Sequence, residues 1–414
     1  MGTCKKTAIV LGGTAPHAEL IKRLRNRGYY TILVDYLENP PAKALADLHI
    51  QESTLDQEMV CKIANEYHAD LVISACVDQA NITACYVAEQ LGLPHPYSND
   101  LASRITNKGY MKQVMYEHGI PTSRYIYLEK GEEPQGLTLR YPVMVKPADS
   151  CAASGVKKAY NEEEMLAYLT DAKKISRNGR TVVEEFVEGS EVSVYAFIAD
   201  ERAHIIMISQ RMSVIEGEEQ VLKCYATLAP AQMSQRAIQK IETAVTGIAQ
   251  AFDLNNTPLH VQVLINQDDI SIIEFAPRVG GGISYQTILD NTGFDILDAT
   301  IDSYLQIPVI PHYTVPQYLY TVNLVYGIPG EFDHLEGAED LVKEGVIESI
   351  HFHKTRGMHI TDDRASGGRI AAFLVKAETK DDLLWKIKTA MDRMEVYDPD
   401  GISIMRKDLY LKYF

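Results

Sequence analysis

Apolar residues follow two different periods along this chain, and the period predicts the elements. Alternation in steps of two is typical of strands, and apolar residues three and four apart are typical of helices. Residues 7–11 form a short apolar strand, Leu20, Ile21 and Leu24 share one helix face, and residues 31–34 form a second strand. This order predicts a Rossmann-like first domain, which we expect to span residues 1–106.

The first turn offers an alternative that stays open at this point. It reads Gly12-Gly13-Thr14, and Asp35 follows the second strand. A dinucleotide site needs G-x-G-x-x-G with an acid about twenty residues further on. Asp35 fits this pattern, but Thr14 and His17 occupy the positions of the second and third glycines. The other interpretation is that the turn helps to close one end of a substrate cleft.

Two lysines beyond residue 106 are candidates for anion binding. Asn107 is a good helix N-cap, so Lys108 lies in the first turn, where it opposes the helix dipole by about 0.3 to 1 kcal/mol. Lys108 is therefore either a tolerated surface charge or part of an anion site. Lys146 ends the strand 141–147, and the small-residue loop after it contains Ser154 and Gly155. Backbone N–H groups of such a loop can approach phosphate oxygens closely.

The segment 181–194, TVVEEFVEGSEVSV, is the centre of the predicted site. It reads as strand, tight bend and strand, yet Glu184, Glu185 and Glu191 stand where a buried strand is normally apolar. Burying an unpaired carboxylate costs several kcal/mol, roughly, so each acid needs a donor. We interpret this segment as one wall of a nucleotide site.

A hairpin over residues 260–275 carries two further polar positions, Gln262 and Glu274. We predict that they are direct cross-strand partners, which requires Asn266 to pair with Ile270 across the loop 267–269. Arg278 and the glycines Gly280, Gly281 and Gly282 follow. Successive glycines suit a backbone pressed against a ligand.

Composition narrows the class of partner. Apolar residues make up 46% of the 414 positions and charged residues 23%, as in ordinary globular proteins. The net charge of −16 argues against nucleic acid and anionic membranes, and we expect a small-molecule ligand. Six cysteines without a C-x-x-C pair, a short N-terminal apolar run and no membrane-length segment predict a cytoplasmic protein with reduced thiols. A homodimer is the default expectation for assembly.

Four motifs in this order resemble the ATP-grasp superfamily, closest to members similar to phosphoribosylglycinamide synthetase, carbamoyl-phosphate synthase halves and L-amino-acid ligases. They are Asn107-Lys108 with Gly119-Ile120-Pro121-Thr122, residues 142–147, residues 184–191 and residues 273–278. The resemblance implies two antiparallel sheets that clasp ATP, in a domain of residues 107–311 with a lid over about 148–205, followed by an α+β lobe of residues 312–414.

The resemblance also implies a role for each motif residue. ATP contacts fall to Lys108, Lys146, Ser154, Gly155, Glu184, Glu185, Phe186, Val187 and Glu191. The substrate contacts are Arg278, Gly280, Gly281 and Gly282, with Arg278 and Lys146 as catalytic residues, and the metal ligands are Glu274 and Gln262. Within this set the lysines bind phosphates, Glu184 accepts from the adenine amino group, and Glu191 holds the ribose hydroxyls.

The metal positions depart from the family pattern of Glu followed by Glu-x-Asn. Gln262 and Ala276 stand where a carboxylate and an asparagine are expected, and Glu274 is retained. One Mg²⁺ is therefore expected, held by Glu274, Gln262 and phosphate oxygens. The implied activity is ATP-dependent ligation of a carboxylate to an amine, possible substrates being amino acids, through an acyl phosphate. A non-catalytic or weakly catalytic ATP-binding regulatory protein is the alternative.

Overall fold

Short apolar strands form a parallel sheet at the N-terminal end of the chain. In this computed structural model, which describes residues 5–134, 138–149, 155–216, 221–361 and 366–413, the sheet has the order β3-β2-β1-β4. Its strands are β1 (Thr7–Leu11), β2 (Tyr30–Val34), β3 (Leu48–Ile50) and β4 (Leu71–Ile73). The helices α1 (Ala15–Asn26), α2 (Gln57–Glu66) and α3 (Asp78–Leu91) connect or flank them, with a 3₁₀ turn at Lys43–Leu45. The parallel sheet supports the predicted Rossmann-like domain.

A small antiparallel sheet follows, after α4 (Asn99–Ile105) and α5 (Lys108–Glu117). Its order is β5-β8-β6-β7, formed by β5 (Tyr125–Leu128), β6 (Val143–Pro147), β7 (Lys157–Ala159) and β8 (Thr181–Glu185). Helix α6 (Glu162–Ile175) covers one face and buries Met165 and Leu169 against Val143, Val145 and Val183. The opposite face of this small sheet does not pack against α6.

A second antiparallel sheet runs through the rest of the chain, and in the described residues it has eight strands in the order β13-β12-β9-β10-β11-β14-β19-β17. They are β9 (Ser190–Ala199), β10 (Arg202–Glu216), β11 (Val221–Ala229), β12 (Thr257–Asn266), β13 (Asp269–Ala276), β14 (Leu319–Tyr326), β17 (Ser349–Phe352) and β19 (Arg369–Ala377). Strands of the expected C-terminal lobe, residues 312–414, thus extend the same sheet that carries Gln262 and Glu274.

The two faces of the large sheet pack against different helices. One face of β9 belongs to the same buried hydrophobic cluster as the apolar stripe of α7 (Gln235–Ala251). This face carries every second residue of the strand, as strand alternation requires: Val192, Val194, Ala196 and Ile198. The alternate residues of β9, among them Phe197, join the cluster that contains α8 (Ser284–Thr292) and α9 (Ile296–Tyr304). The remaining elements are α10 (Ala338–Lys343), α11 (Lys380–Arg393), the pairs β15 (Gly330–Glu331) with β18 (His359–Ile360) and β16 (His334–Glu336) with β20 (Glu395–Tyr397), and a 3₁₀ helix at Lys407–Tyr413.

The strand arrangement bears on two expectations. The range 148–205 expected for the lid contains strands of both sheets, because β7 and β8 belong to the small sheet while β9 and the first residues of β10 belong to the large one. The hairpin loop was predicted with three residues, and this was wrong: Asn266 pairs with Asp269 across a two-residue loop. A β-bulge between Gln262 and Val263 shifts the register, so Gln262 still faces Glu274. Among the described residues, no helix has the length and apolarity needed to span a membrane.

Candidate functional site

A buried carboxylate flanked by two lysines forms the wall of a cleft on the small-sheet side. Glu184 of β8 contacts Lys146 of β6, and its second oxygen lies 2.6 Å from Lys112 of α5. The Ser123 hydroxyl donates to the same carboxylate, and Lys112 also donates to Thr122 at 2.9 Å. Strand β8 lies between β5 and β6, so pairing Met144 with Glu184 brings Lys146 within reach. The acid that looked unsatisfied in the sequence therefore has three donors.

Helix α5 supplies two lysines that face this cleft. Asn107 caps the helix by accepting from the Gly109 and Tyr110 N–H groups at 2.9 and 3.2 Å. Lys108 and Lys112 are one helical turn apart and therefore share a face. Lys112 reaches Glu184, and the Lys108 ammonium lies 3.0 Å from Glu274 of β13.

The wall on the large-sheet side is a row of polar side chains from adjacent strands. With its amide oriented to satisfy both neighbours, Gln262 donates to Glu274 Oε1 at 3.1 Å and accepts from Arg211 at 3.2 Å. Arg211 of β10 in turn lies 3.0 Å from Glu191 of β9. The oxygen of Gln262, the atom that would bind a metal, is thus occupied by Arg211. Glu274 remains as the carboxylate of this wall.

Helix α5 joins the two walls, because its Lys112 contacts Glu184 of the small sheet and its Lys108 contacts Glu274 of the large sheet, and the charges of the two walls act on one another. Burial raises the pKa of Glu191, and the positive charges of Arg211 and Lys146 oppose that shift. Burial would also raise the pKa of Glu274, but Lys108 and Lys146 lower it to about 2. Burial and the like charge of Lys112 lower the pKa of Lys146 to about 7. Glu274 is therefore ionised at neutral pH.

Arg278 is held by the N-terminal domain. Its guanidinium donates to both oxygens of Asp78, at 2.8 and 3.0 Å, and to the Val279 carbonyl at 3.0 Å. Asp78 is the first residue of α3, two hundred positions away in sequence. This bidentate pair raises the pKa of Arg278 further above its ordinary value, although burial opposes the shift. The residue expected to bind a substrate carboxylate is thus bound to a carboxylate of the chain itself.

The remaining residues predicted to bind ATP have different surroundings, and one of them lies outside the described residues. Glu185 points to the opposite face of β8 from Glu184 and pairs with Arg124 and Arg140 at 3.4 and 3.1 Å. The exposed ring of Phe186 lies 3.4 Å below the Lys158 ammonium, and Val187 is half-buried beside it. Ser154 falls in the stretch 150–154, which the structure does not describe, and Gly155 follows it with φ +72°.

The glycines after Arg278 are not equivalent. A Cβ on Gly280 would lie 2.5 Å from the Tyr195 ring, so this glycine is required for packing. A Cβ on Gly281 or Gly282 would meet no atom within 4 Å, and both residues are exposed. Only the second and third glycines therefore offer an open backbone surface to a ligand.

The first glycine turn is filled by the chain itself. A Cβ on Gly13 would lie 2.4 Å from Pro40, and one on Gly12 would lie 2.8 Å from His17. His17 is fully buried and bonds Thr14 at 2.8 Å and Ser74 at 3.2 Å. Burial lowers the pKa of His17 to about 3, so the ring is neutral. The turn packs against its own domain, which disfavours the dinucleotide alternative.

Sequence reasoning missed Lys112, Arg211 and Asp78. Lys112 had a signal, since it stands four residues after Lys108 on one predicted helix. Arg211 had a weaker one, as a charged residue inside the long apolar strand β10. Asp78 had none, because only the tertiary fold brings it to Arg278.

Comparison with known proteins identifies the domain to which this cleft belongs. Residues 139–286 match the family described as the ATP-grasp domain. Carbamoyl-phosphate synthase [ammonia] from Aquarana catesbeiana is 31% identical over 164 residues, 39% of this chain and only 10% of that protein.

Two solved structures resemble nearly the whole chain. An L-amino acid ligase from Bacillus licheniformis superposes with TM-score 0.77 at 17% identity, covering 95% of this chain and 99% of that one. A phosphoribosylglycinamide synthetase from Anaerococcus prevotii gives 0.74 at 20% identity, with coverages of 94% and 99%. At these identities the likeness shows the fold alone. The chain has the fold of these two structures, and its residues 139–286 match the ATP-grasp domain.

Proposed function

We propose that this protein is an ATP-dependent ligase that joins a carboxylate to an amine. One observation carries the proposal: Lys108, Lys146 and Glu274, from three separate motifs, meet in one cleft between two antiparallel sheets. Two lysines and an ionised carboxylate are suited to a polyphosphate and its cation, because phosphoryl transfer asks a protein mainly for positioning and charge neutralisation.

The small-sheet wall is suited to the nucleoside. Glu184 already accepts from Ser123, Lys112 and Lys146, but a carboxylate offers about four acceptor positions, so one is left for an adenine amino group. The backbone at Phe186 and Val187 follows directly and supplies the rest of the adenine edge. We assign the ribose hydroxyls to Glu191, which lies across the cleft beside Arg211.

The residues present fit one Mg²⁺. Glu274 is ionised, and Mg²⁺ is usually held by one or two carboxylates together with substrate phosphates. Within the described residues, there is no cluster of three or more Asp, Glu, His or Cys side chains that could hold a metal. We propose that Glu274 binds the ion, which would neutralise phosphate charge there, and that Gln262 orients Glu274 by its hydrogen bond.

The proposed reaction has two steps. A substrate carboxylate oxygen attacks the γ-phosphorus of ATP, the bond to the β–γ bridging oxygen breaks, and ADP leaves with that electron pair. The amine nitrogen then attacks the acyl carbon of the acyl phosphate, loses one proton, and expels phosphate. We propose that the substrate carboxylate exchanges with Asp78 on Arg278, since a guanidinium binds any carboxylate in the same bidentate geometry.

The test is ADP release from purified protein with Mg²⁺ and pairs of amino acids. Release that depends on both an acid and an amine supports the ligase. Tight ATP binding without substrate-stimulated release with any pair favours a regulatory ATP-binding protein, an alternative that the Arg278–Asp78 pair and Gln262 both motivate. Absence of ATP binding contradicts both functions.

A further inference from the structure

Arg211 lies at the centre of the large-sheet wall and has no role in the function proposed above. Its strand β10 is followed by β9, β12 and β13 in the sheet, so Arg211, Glu191, Gln262 and Glu274 form a row across four adjacent strands. Arg211 touches two members of the row, Glu191 at 3.0 Å and Gln262 at 3.2 Å. A cation therefore stands beside the proposed metal carboxylate.

This arrangement disfavours a second divalent ion. Gln262 is an amide, so it brings no negative charge, and its oxygen accepts from Arg211. A divalent cation near Gln262 would have to break that bond and approach the guanidinium, which remains charged at any ordinary pH. Burial would lower the pKa of Arg211, but neighbouring groups including Glu191 raise it above its ordinary value.

The guanidinium is nevertheless accessible to a ligand. The Arg211 side chain is 24% exposed, whereas Lys112 on the opposite wall is 2% exposed. Gln262 accepts from one Nη–H of Arg211, and the contact with Glu191 is an ion pair through Nε without a hydrogen bond. The guanidinium therefore keeps further N–H donors that suit phosphate oxygens.

We propose that Arg211 binds the terminal phosphate of the nucleotide and supplies the positive charge that a second Mg²⁺ would otherwise supply. The inference rests on the proposed ATP site with its single Mg²⁺ and adds to it a catalytic residue. Glu191 and Gln262 fix the guanidinium before the nucleotide arrives, so little reorganisation is needed on binding.

The experiment measures binding of a non-hydrolysable ATP analogue, AMP-PNP, with and without Mn²⁺, and counts bound Mn²⁺ by electron paramagnetic resonance. The variants are Arg211→Met, Arg211→Lys and, as the matched control on the same strand, the exposed Arg202→Met. We expect wild type to bind one Mn²⁺ per nucleotide site. We also expect Arg211→Met to weaken metal-free AMP-PNP binding about tenfold or more, Arg211→Lys to weaken it less, and Arg202→Met to leave it unchanged.

A double variant tests directly whether Arg211 takes the place of a second metal ion. Arg211→Met combined with Gln262→Glu restores a carboxylate and removes the cation, so we expect a second Mn²⁺ to bind. Thermal unfolding of each variant shows whether it folds. If Arg211→Met does not fold, Arg211→Lys, which keeps the charge, takes its place in the binding measurement.

Two results would overturn the inference while leaving the proposed ATP site intact. One is two Mn²⁺ ions bound per site in wild type. The other is unchanged metal-free AMP-PNP affinity in folded Arg211→Met. Failure of wild type to bind AMP-PNP at all would remove the proposed function and this inference together.

Discussion

The two walls of the cleft use the same kinds of side chain in different ways. On the small-sheet wall, Lys112 and Glu184 are 2% and 5% exposed and bonded to each other. On the large-sheet wall, Arg211 and Glu274 are 24% and 32% exposed and joined through Gln262. A buried ion pair that loses one partner leaves an uncompensated charge, whereas a partly exposed charge can turn to water. The first wall should therefore support the fold, and the second should be free to exchange partners with a ligand.

The largest expected effect is a difference in the free energy of unfolding between variants of the two walls. Glu184→Gln leaves Lys112 and Lys146 without a counter-charge, and we expect it to lower the free energy of unfolding by about 3 to 5 kcal/mol. Glu191→Gln on the opposite wall should lower it by less than about 1 kcal/mol. Urea unfolding of both variants at pH 6, below the pKa of about 7 of Lys146, measures the difference. Equal losses would show that the walls do not differ in this respect.

The second prediction concerns nucleotide affinity. Lys146→Met removes a cation from the phosphate path but leaves Glu184 paired with Lys112 and Ser123, so the protein should fold. A lost charge-assisted contact is worth about 1.5 to 3 kcal/mol, which corresponds to roughly 10- to 150-fold weaker ATP binding. The control is Lys157→Met in the same small sheet, whose lysine pairs with Asp171 at 3.2 Å. Calorimetric titration with ATP tests both, and the prediction is contradicted if the two variants bind equally well.

The third prediction separates the acid sensitivity of the cleft from that of the rest of the molecule. Glu274 has a pKa of about 2 and stays ionised well below pH 5, so only the first protonation of the unfolded side chain contributes between pH 6.5 and 5, about 0.1 kcal/mol. His17 has its pKa lowered by burial to about 3, so only the unfolded state gains a proton in that range. Stability should therefore fall as pH falls, by about 1.5 kcal/mol for this one ring.

The measurement is urea unfolding of wild type and His17→Gln at pH 6.5 and pH 5. Other buried histidines add the same sign, since burial lowers the pKa of His353 to about 4, so the test is the difference between the two proteins. The exposed His359→Gln is the matched control. An unchanged slope in His17→Gln would show that its ring is not the neutral group described above.

Much of this organisation was predictable from local pattern. The apolar periods predicted the parallel sheet and the hairpin, and Asn107 predicted the start of α5, because each depends on neighbouring residues. The opposite faces of Glu184 and Glu185 also follow from strand alternation, so placing both side chains in one site went against a rule the sequence itself supplies.

The other features of the site depend on the tertiary fold and could not be predicted from local pattern. The bulge that restores the Gln262–Glu274 pair arises from packing between strands and leaves no mark in the sequence. The Arg278–Asp78 bond joins two domains, and no local pattern predicts which acid an arginine will meet.

The smallest expected effect concerns the two-residue loop of the hairpin, residues 267–268. Gln267 opens the two-residue hairpin loop with φ +56°, in the left-handed region that favours glycine. Gln267→Gly should relieve that strain and raise the free energy of unfolding by about 0.5 kcal/mol, the relief being partly offset by the greater freedom of glycine in the unfolded chain. The neighbouring Asp268→Gly should lower stability, because Asp268 is not among the residues with positive φ. If Gln267→Gly destabilises the protein as well, the left-handed conformation of Gln267 does not carry the strain described here, because the greater freedom of glycine in the unfolded chain then outweighs any relief.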